Sequence, residues 1–194
     1  GDGDRYEPST NTWIGMNNTD APLPRFLHTA VWTGDKMIVW GGQIGEGGIA
    51  TPTGAIYDPT TDTWTPTKVD GAPTGRFAHT AVWAEFSDGQ TTKKRMIIWG
   101  GRDATTIYGD GRMYDPATDT WEDIAVTDKT PAPRYYHTAV WTGTYMIIWG
   151  GTQNTDDPLK SFNDGALYNP ATNSWEDYTA NYLAPAPRYG HTAC

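Results

Sequence analysis

The sequence predicts an all-β protein assembled from copies of one four-stranded unit. Three observations lead there. The apolar residues of this 194-residue chain come in short runs broken by glycine and proline, and nowhere recur at i, i+3, i+4 and i+7 over a dozen positions, so strands and turns are favoured over helices. Arg-x-x-His occurs four times, at Arg25/His28, Arg76/His79, Arg134/His137 and Arg188/His191, with steps of 51, 58 and 54 residues between histidines. All ten tryptophans fall on three positions of the same period.

Within a unit, each strand has its own signature. The first reads HTAVW at 28–32, 79–83 and 137–141, and a fourth copy at His191 stops as HTAC. The second is apolar throughout (Met37–Trp40, Met96–Trp99, Met146–Trp149), as suits a strand covered on both faces. Each second strand is followed by Gly-Gly, where the chain turns or another backbone comes close. The third reads GAIY, GRMY or GALY. A Tyr-Asp-Pro or Tyr-Asn-Pro connection then leads to Trp64, Trp121 or Trp175 at the start of the fourth, which reads as a tight hairpin. The chain opens on this second half of a unit, Tyr6 to Trp13.

Four strands every ~50 residues is the pattern of a β-propeller blade. The Arg-x-x-His strand, the Gly-Gly after an apolar strand and the Tyr…Trp spacing resemble a Kelch repeat, in a form (HTAVW…WGG…YDPxTDTW) typical of bacterial sequences. The resemblance covers nearly the whole chain; the Ser-x-Asp-x-Gly-x-x-Trp order of the competing Asp-box propellers is absent. It divides the chain into a split blade contributing its third and fourth strands at 1–24, blades at 25–75, 76–133 and 134–187, and the first strand of the split blade at 188–194. That makes 15 strands, one second strand short of four blades. Propellers have 4–8 blades, and the resemblance implies six or seven. A four-bladed ring with one deficient blade, a piece of a larger ring, and an edge completed by a neighbouring copy all stay open.

The repeat also weighs the candidate residues. Every histidine stands at the same position, whereas a catalytic base needs one special environment. Arg25, His28, Arg76, His79, Arg134, His137, Arg188 and His191 are therefore read as structural, the arginines satisfying loop carbonyls. The tryptophans are read as blade packing. No catalytic residue and no metal ligand is assigned. Kelch-like oxidases hold copper through tyrosine and histidine, with a tyrosine linked to cysteine. Here the single cysteine, Cys194, is the last residue, and nothing carries that site over.

Function is expected on variable loops held by the scaffold. The loops between second and third strands (43–53, 102–110, 152–164) and those between blades (66–75, 122–133, 176–187) emerge on one face. Tyr108, Asp110, Asp128, Asp156, Asp157, Asn163, Asp164 and Tyr182 are the binding candidates there. No cofactor is expected, with calcium on the acidic 152–164 loop the minority reading against ordinary turns. The insertion Ala84 to Arg95, with Lys93, Lys94 and Arg95, reads as a solvated long hairpin.

A net charge of −9 argues against nucleic acid as partner, and no apolar run reaches the ~20 residues of a membrane-spanning helix. The expected function is a non-catalytic binding or assembly scaffold with a protein or glycan partner. A mutarotase- or oxidase-like sugar-modifying enzyme, and a subunit of an extracellular fibre self-associating through open blade edges, are the alternatives. Low lysine content and abundant Thr, Asn and Gly suit a secreted or cell-surface protein, where Asn17-Asn18-Thr19 would match a glycosylation pattern.

Overall fold

The computed structural model describes residues 3–178 and 184–194. It begins with a hairpin of β1 (Asp4–Glu7) and β2 (Thr12–Gly15). A short β3 (Arg25–Phe26) leads into the first complete blade. That blade comprises β4 (Thr29–Trp32), β5 (Met37–Trp40), β8 (Gly54–Asp58) and β9 (Thr63–Pro66), with β6 (Gln43–Ile44) and β7 (Ile49–Ala50) in the loop between its middle strands. The second blade is β10 (Thr80–Ser87), β11 (Thr92–Trp99), β12 (Gly111–Asp115) and β13 (Thr120–Asp123). The third is β14 (Thr138–Trp141), β15 (Met146–Trp149), β16 (Gly165–Asn169) and β17 (Ser174–Tyr178), with one 3₁₀ turn at Pro158–Lys160. Each blade is an antiparallel meander in sequence order, and β10 lies between β4 and β14.

The core lies between blades, which explains the apolar second strands. Successive side chains of a strand face opposite ways. Met96 and Ile98 of β11 pack with Ile38 and Trp40 of the first blade, while Ile97 and Trp99 pack with Met146 and Ile148 of the third. All four β11 residues are fully buried, so the strand serves two interfaces at once. Each Tyr and Trp flanking the outer hairpin stand opposite one another in the ladder, as with Tyr57 and Trp64 at 4.9 Å between ring centroids.

Three features depart from the sequence reading. The HTAC segment at 191–194 forms no strand. First strands pair only with second strands, as Thr29–Trp32 does with Met37–Trp40, and among the described residues no second strand lies beside it. Trp13 and Trp32 are 68% and 57% exposed, not packed between blades, because the side each would cover faces no further blade among the described residues. Finally, β3, β6 and β7 form a small second sheet at the loop end of the first blade. Single bridges at Phe77–Arg102–Ile107 and Tyr135–Thr152–Ser161 repeat it in the other two. Two- and one-residue pairings carry no periodicity to read.

Candidate functional site

The in-register polar residues build the joints between blades. Arg76 is fully buried. Its Nη1 donates to the carbonyls of Gly100 (3.0 Å) and Asp110 (3.2 Å) and to the Asp110 carboxylate (2.9 Å), its Nε donates to Thr74 O, and its guanidinium lies 4.1 Å from the Tyr108 ring centroid. Arg134 is equally buried and repeats this with Gly150 O, Asp164 and the Phe162 ring. Arg25 does so with Gly41 O and Thr53. Arg188 donates to Ala186 O. Asp110 and Asp164, candidates for a free loop ligand, thus occupy a repeat position shared with Thr53. Both carboxylates are tied to an arginine. The signal was present: each directly precedes the glycine that opens a third strand.

The histidines bond across blades. His79 Nε2 meets Thr29 Oγ1 of the preceding blade at 2.9 Å, His137 meets Thr80 at 2.7 Å, and His191 meets Thr138 at 2.9 Å. Each ring stands edge-on to the tryptophan of the preceding second strand, for example His79 on Trp40 with centroids 5.3 Å apart. Thr138 Oγ1 also lies 3.5 Å from Trp149 O. Burial first, then Arg76, pushes the His79 pKa down to about 3; burial and Arg134 hold His137 well below its usual value. Both imidazoles are neutral. His28 is exposed and belongs to the first blade's open side.

Beside the histidines runs a backbone chain that links the blades. Ala78 N donates to Leu27 O, Tyr136 N to Ala78 O and Gly190 N to Tyr136 O, at 2.9–3.1 Å. All four residues are left-handed, with φ of 54°, 53°, 55° and 62° for Leu27, Ala78, Tyr136 and Gly190. Leu, Ala and Tyr pay about 1–2 kcal/mol each for that conformation. Only glycine at the last copy hinted at it.

With these residues engaged in the scaffold, the loops remain. Tyr108 donates to Asp103 at 2.6 Å; burial and that carboxylate raise its pKa to about 12. Asp103 is drawn down to about 2: burial opposes this, but hydrogen bonds from Tyr108, Thr105 and Thr106 outweigh it. Tyr108 lines a cleft of about 400 Å³ with Ile107, Val126, Pro131 and Pro133, which brings the 102–110 and 122–133 loops together. Gln153 donates to Pro133 O, attaching the 152–164 loop to the same surface. Asp128 sits exposed on a Thr127–Thr130 turn. Asp156 and Asp157 lie in turns closed through Asn154 and Leu159 N. Asn163 is half-buried beside Asp164. The acidic residues of 152–164 do not converge, and among the described residues no three His, Cys, Asp or Glu gather into a metal cluster. Tyr182 lies outside the described residues.

Sequence reasoning missed the apolar component of this face. Ile49 (67% exposed), Val69 (49%), Val126 (66%) and Leu159 (90%) project one from each of four variable segments.

A family model described as the KLHDC2/KLHL20/DRC7 Kelch-repeats domain matches residues 27–194. The chain belongs to the Kelch-repeat family. This Kelch chain is 27% identical over 180 residues to human Kelch domain-containing protein 3, covering 89% of the chain and 45% of that protein. It is 27% identical over 190 residues to Acyl-CoA-binding domain-containing protein 5 of Arabidopsis thaliana (94% and 27%) and 22% identical over 198 residues to Host cell factor of Drosophila melanogaster (89% and 13%). The chain thus spans less than half the length of these relatives. All three are eukaryotic, which gives the bacterial flavour of the Kelch motif no counterpart among them. No helix among the described residues is long and apolar enough to cross a membrane.

Proposed function

We propose that this Kelch chain is a protein-binding scaffold that receives its partner on the face formed by the 43–53, 102–110 and 152–164 loops and the blade-to-blade links. The observation that carries this reading is the placement of exposed apolar side chains. Ile49, Val69, Val126 and Leu159 stand on four variable segments of that face, and Val126 also lines a cleft walled by prolines and Tyr108. Scattered apolar residues on a surface are ordinary, but a group gathered on one face and rimmed by polar loops marks a contact surface. The buried arginines and histidines contribute by holding those loops, not by chemistry.

The test is site-specific crosslinking. A photoreactive residue placed at Val126 or Leu159 should capture the partner protein, and one at Thr144, in the short β14–β15 turn, should not. Val126→Glu should weaken the same complex without lowering thermal stability. Capture from Thr144 alone, or a complex indifferent to Val126→Glu and Leu159→Glu together, would overturn the assignment.

A further inference from the structure

One hairpin breaks the repeat. In the first and third blades the first two strands are four residues long and joined by Thr-Gly turns. In the second, β10 and β11 run eight residues each. The third strand does not follow this extension: β12 pairs with β11 only from Met96, opposite Tyr114, onward. The outer half of the hairpin therefore stands beyond its own sheet. It walls a groove of about 1000 Å³ whose other wall is the first blade.

Side-chain alternation decides what each wall presents. On the first blade, Ile38, Ile56 and Thr65 stand side by side on one rung. Asp58 and Thr63 form the next, where Lys36 meets Asp58 at 3.2 Å. On the hairpin, Trp83 is turned to the first blade: its partly buried indole packs with Ile38 and with Met96, its cross-strand partner. Lys94 and Thr92, two and four residues before Met96, share that face. The groove is therefore apolar and aromatic at its inner end and polar at its outer end, where the side chains of Thr65, Thr91 and Thr92 are exposed.

The lining selects against a charged ligand. Every cation in it is already matched: Lys36 by Asp58, Lys93 by Asp88, Lys94 by Glu85, and Arg95 by Asp115 and Glu122, all within 3.3 Å. A charged ligand would break one of these pairs or leave its own charge unmatched. An added peptide strand would compete with Arg95 for the Lys94 carbonyl. An uncharged molecule with an apolar face and many hydroxyls meets the whole lining. Paired carboxylates keep lone pairs and paired ammoniums keep protons for further hydrogen bonds, and threonine hydroxyls both donate and accept. We propose that this groove binds a neutral oligosaccharide. The C–H face of one pyranose ring lies on the Trp83 indole, an apolar body of large area, and the sugar hydroxyls bond to Lys36, Asp58 and the threonines. The groove matches the largest small-molecule sites in volume.

The probes are cellohexaose, xylohexaose, mannohexaose and maltohexaose, each titrated by calorimetry to millimolar concentration against the full chain. At least one is expected to bind, with an affinity that holds between low and high salt because the ligand carries no charge. Trp83→Ala should weaken that sugar at least about tenfold. Thr65→Val with Thr92→Val removes one hydroxyl from each wall, keeps the strands, and should weaken it by a similar factor. This pair serves if the tryptophan variant fails to fold. Val126→Glu, on the loop face, should leave sugar binding unchanged, which separates this result from the fate of the loop-face reading. No binding by any of the four sugars, stronger binding of the acidic hexagalacturonate, or binding that survives the double threonine variant would overturn the proposal.

Discussion

A neutral histidine wedged between two blades makes stability depend on pH in a defined direction. His79 is held at about 3 in the folded chain, against about 6.5 when unfolded. Below that value the unfolded chain takes up a proton that the folded chain refuses. Stability is therefore full above pH ~6.5 and is lost as pH falls towards about 3, at up to about 1.4 kcal/mol per pH unit for each such histidine. His137 acts in the same sense. Between about pH 6.5 and 5 ordinary carboxylates stay ionised, so the fall of the urea midpoint in that interval reports the histidines. His79→Gln should flatten it, and an unchanged slope would contradict the neutral joint. The glycine beneath the ring is equally specific. At Gly41 (φ 70°) an added Cβ would stand 2.6 Å from His79 Cε1 and 2.9 Å from Arg76 O. Gly41→Ala should cost about 3 kcal/mol or more, since backbone strain and a clash combine. At Gly34 (φ 105°) a Cβ meets nothing within 4 Å, so Gly34→Ala should cost only the backbone term of about 1–2 kcal/mol. Denaturant melts of the two variants compare them directly.

The four outer hairpins show what a repeat element discloses and what it hides. The Asp or Asn before the fourth strand was legible as turn chemistry, and Asn11, Asp62, Asp119 and Asn173 are all left-handed. Its second task was not legible, because it is a contact with a different blade. Asp119 Oδ1 accepts from Tyr114 Oη (2.7 Å) within the hairpin and from Lys68 N (2.9 Å) in the preceding link, while Trp121 Nε1 donates to Lys68 O. Asn173 does the same with Tyr168 and Ala125. Asp119→Ala should therefore cost about 2–3 kcal/mol, two hydrogen bonds and a left-handed site together. Asp119→Asn should cost under about 1 kcal/mol, since Asn173 already fills the role; equal losses in the two thermal melts would refute this double duty. The same limit explains the other misses. Strand identity and order followed from local patterns such as MIIWGG, but the Thr partner of each histidine lies 50 or more residues away in sequence. The Arg–Asp pairs looked like loose loop carboxylates because the arginine that claims them stands at the far end of the unit.

Across the whole molecule, stability should be graded by how many interfaces an element serves. In a repeat architecture each unit gains most from contact with its neighbours. The second blade has a complete neighbour on both sides, and Met96–Trp99 within it are fully buried. The β1–β2 hairpin is held to the first blade by Arg5 to Pro59 O (2.7 Å), Asn17 N to Asp62 (3.1 Å) and Trp64 Nε1 to Asn17 O (3.0 Å), and its own residues are largely exposed. Amide hydrogen exchange should follow this gradient: the Met96–Trp99 amides open only with global unfolding, and β1–β2 amides exchange through local opening at much lower free energy. Gly41→Ala should shift the pattern asymmetrically. That glycine lies at the first–second joint, so β4, β5 and β8 should lose protection while β14–β16, joined through Gly100 and His137, keep theirs. Uniform protection in the parent chain, or an equal loss in all three blades of the variant, would mean that the blades melt as a single unit and that the joints transmit more than neighbouring contacts account for.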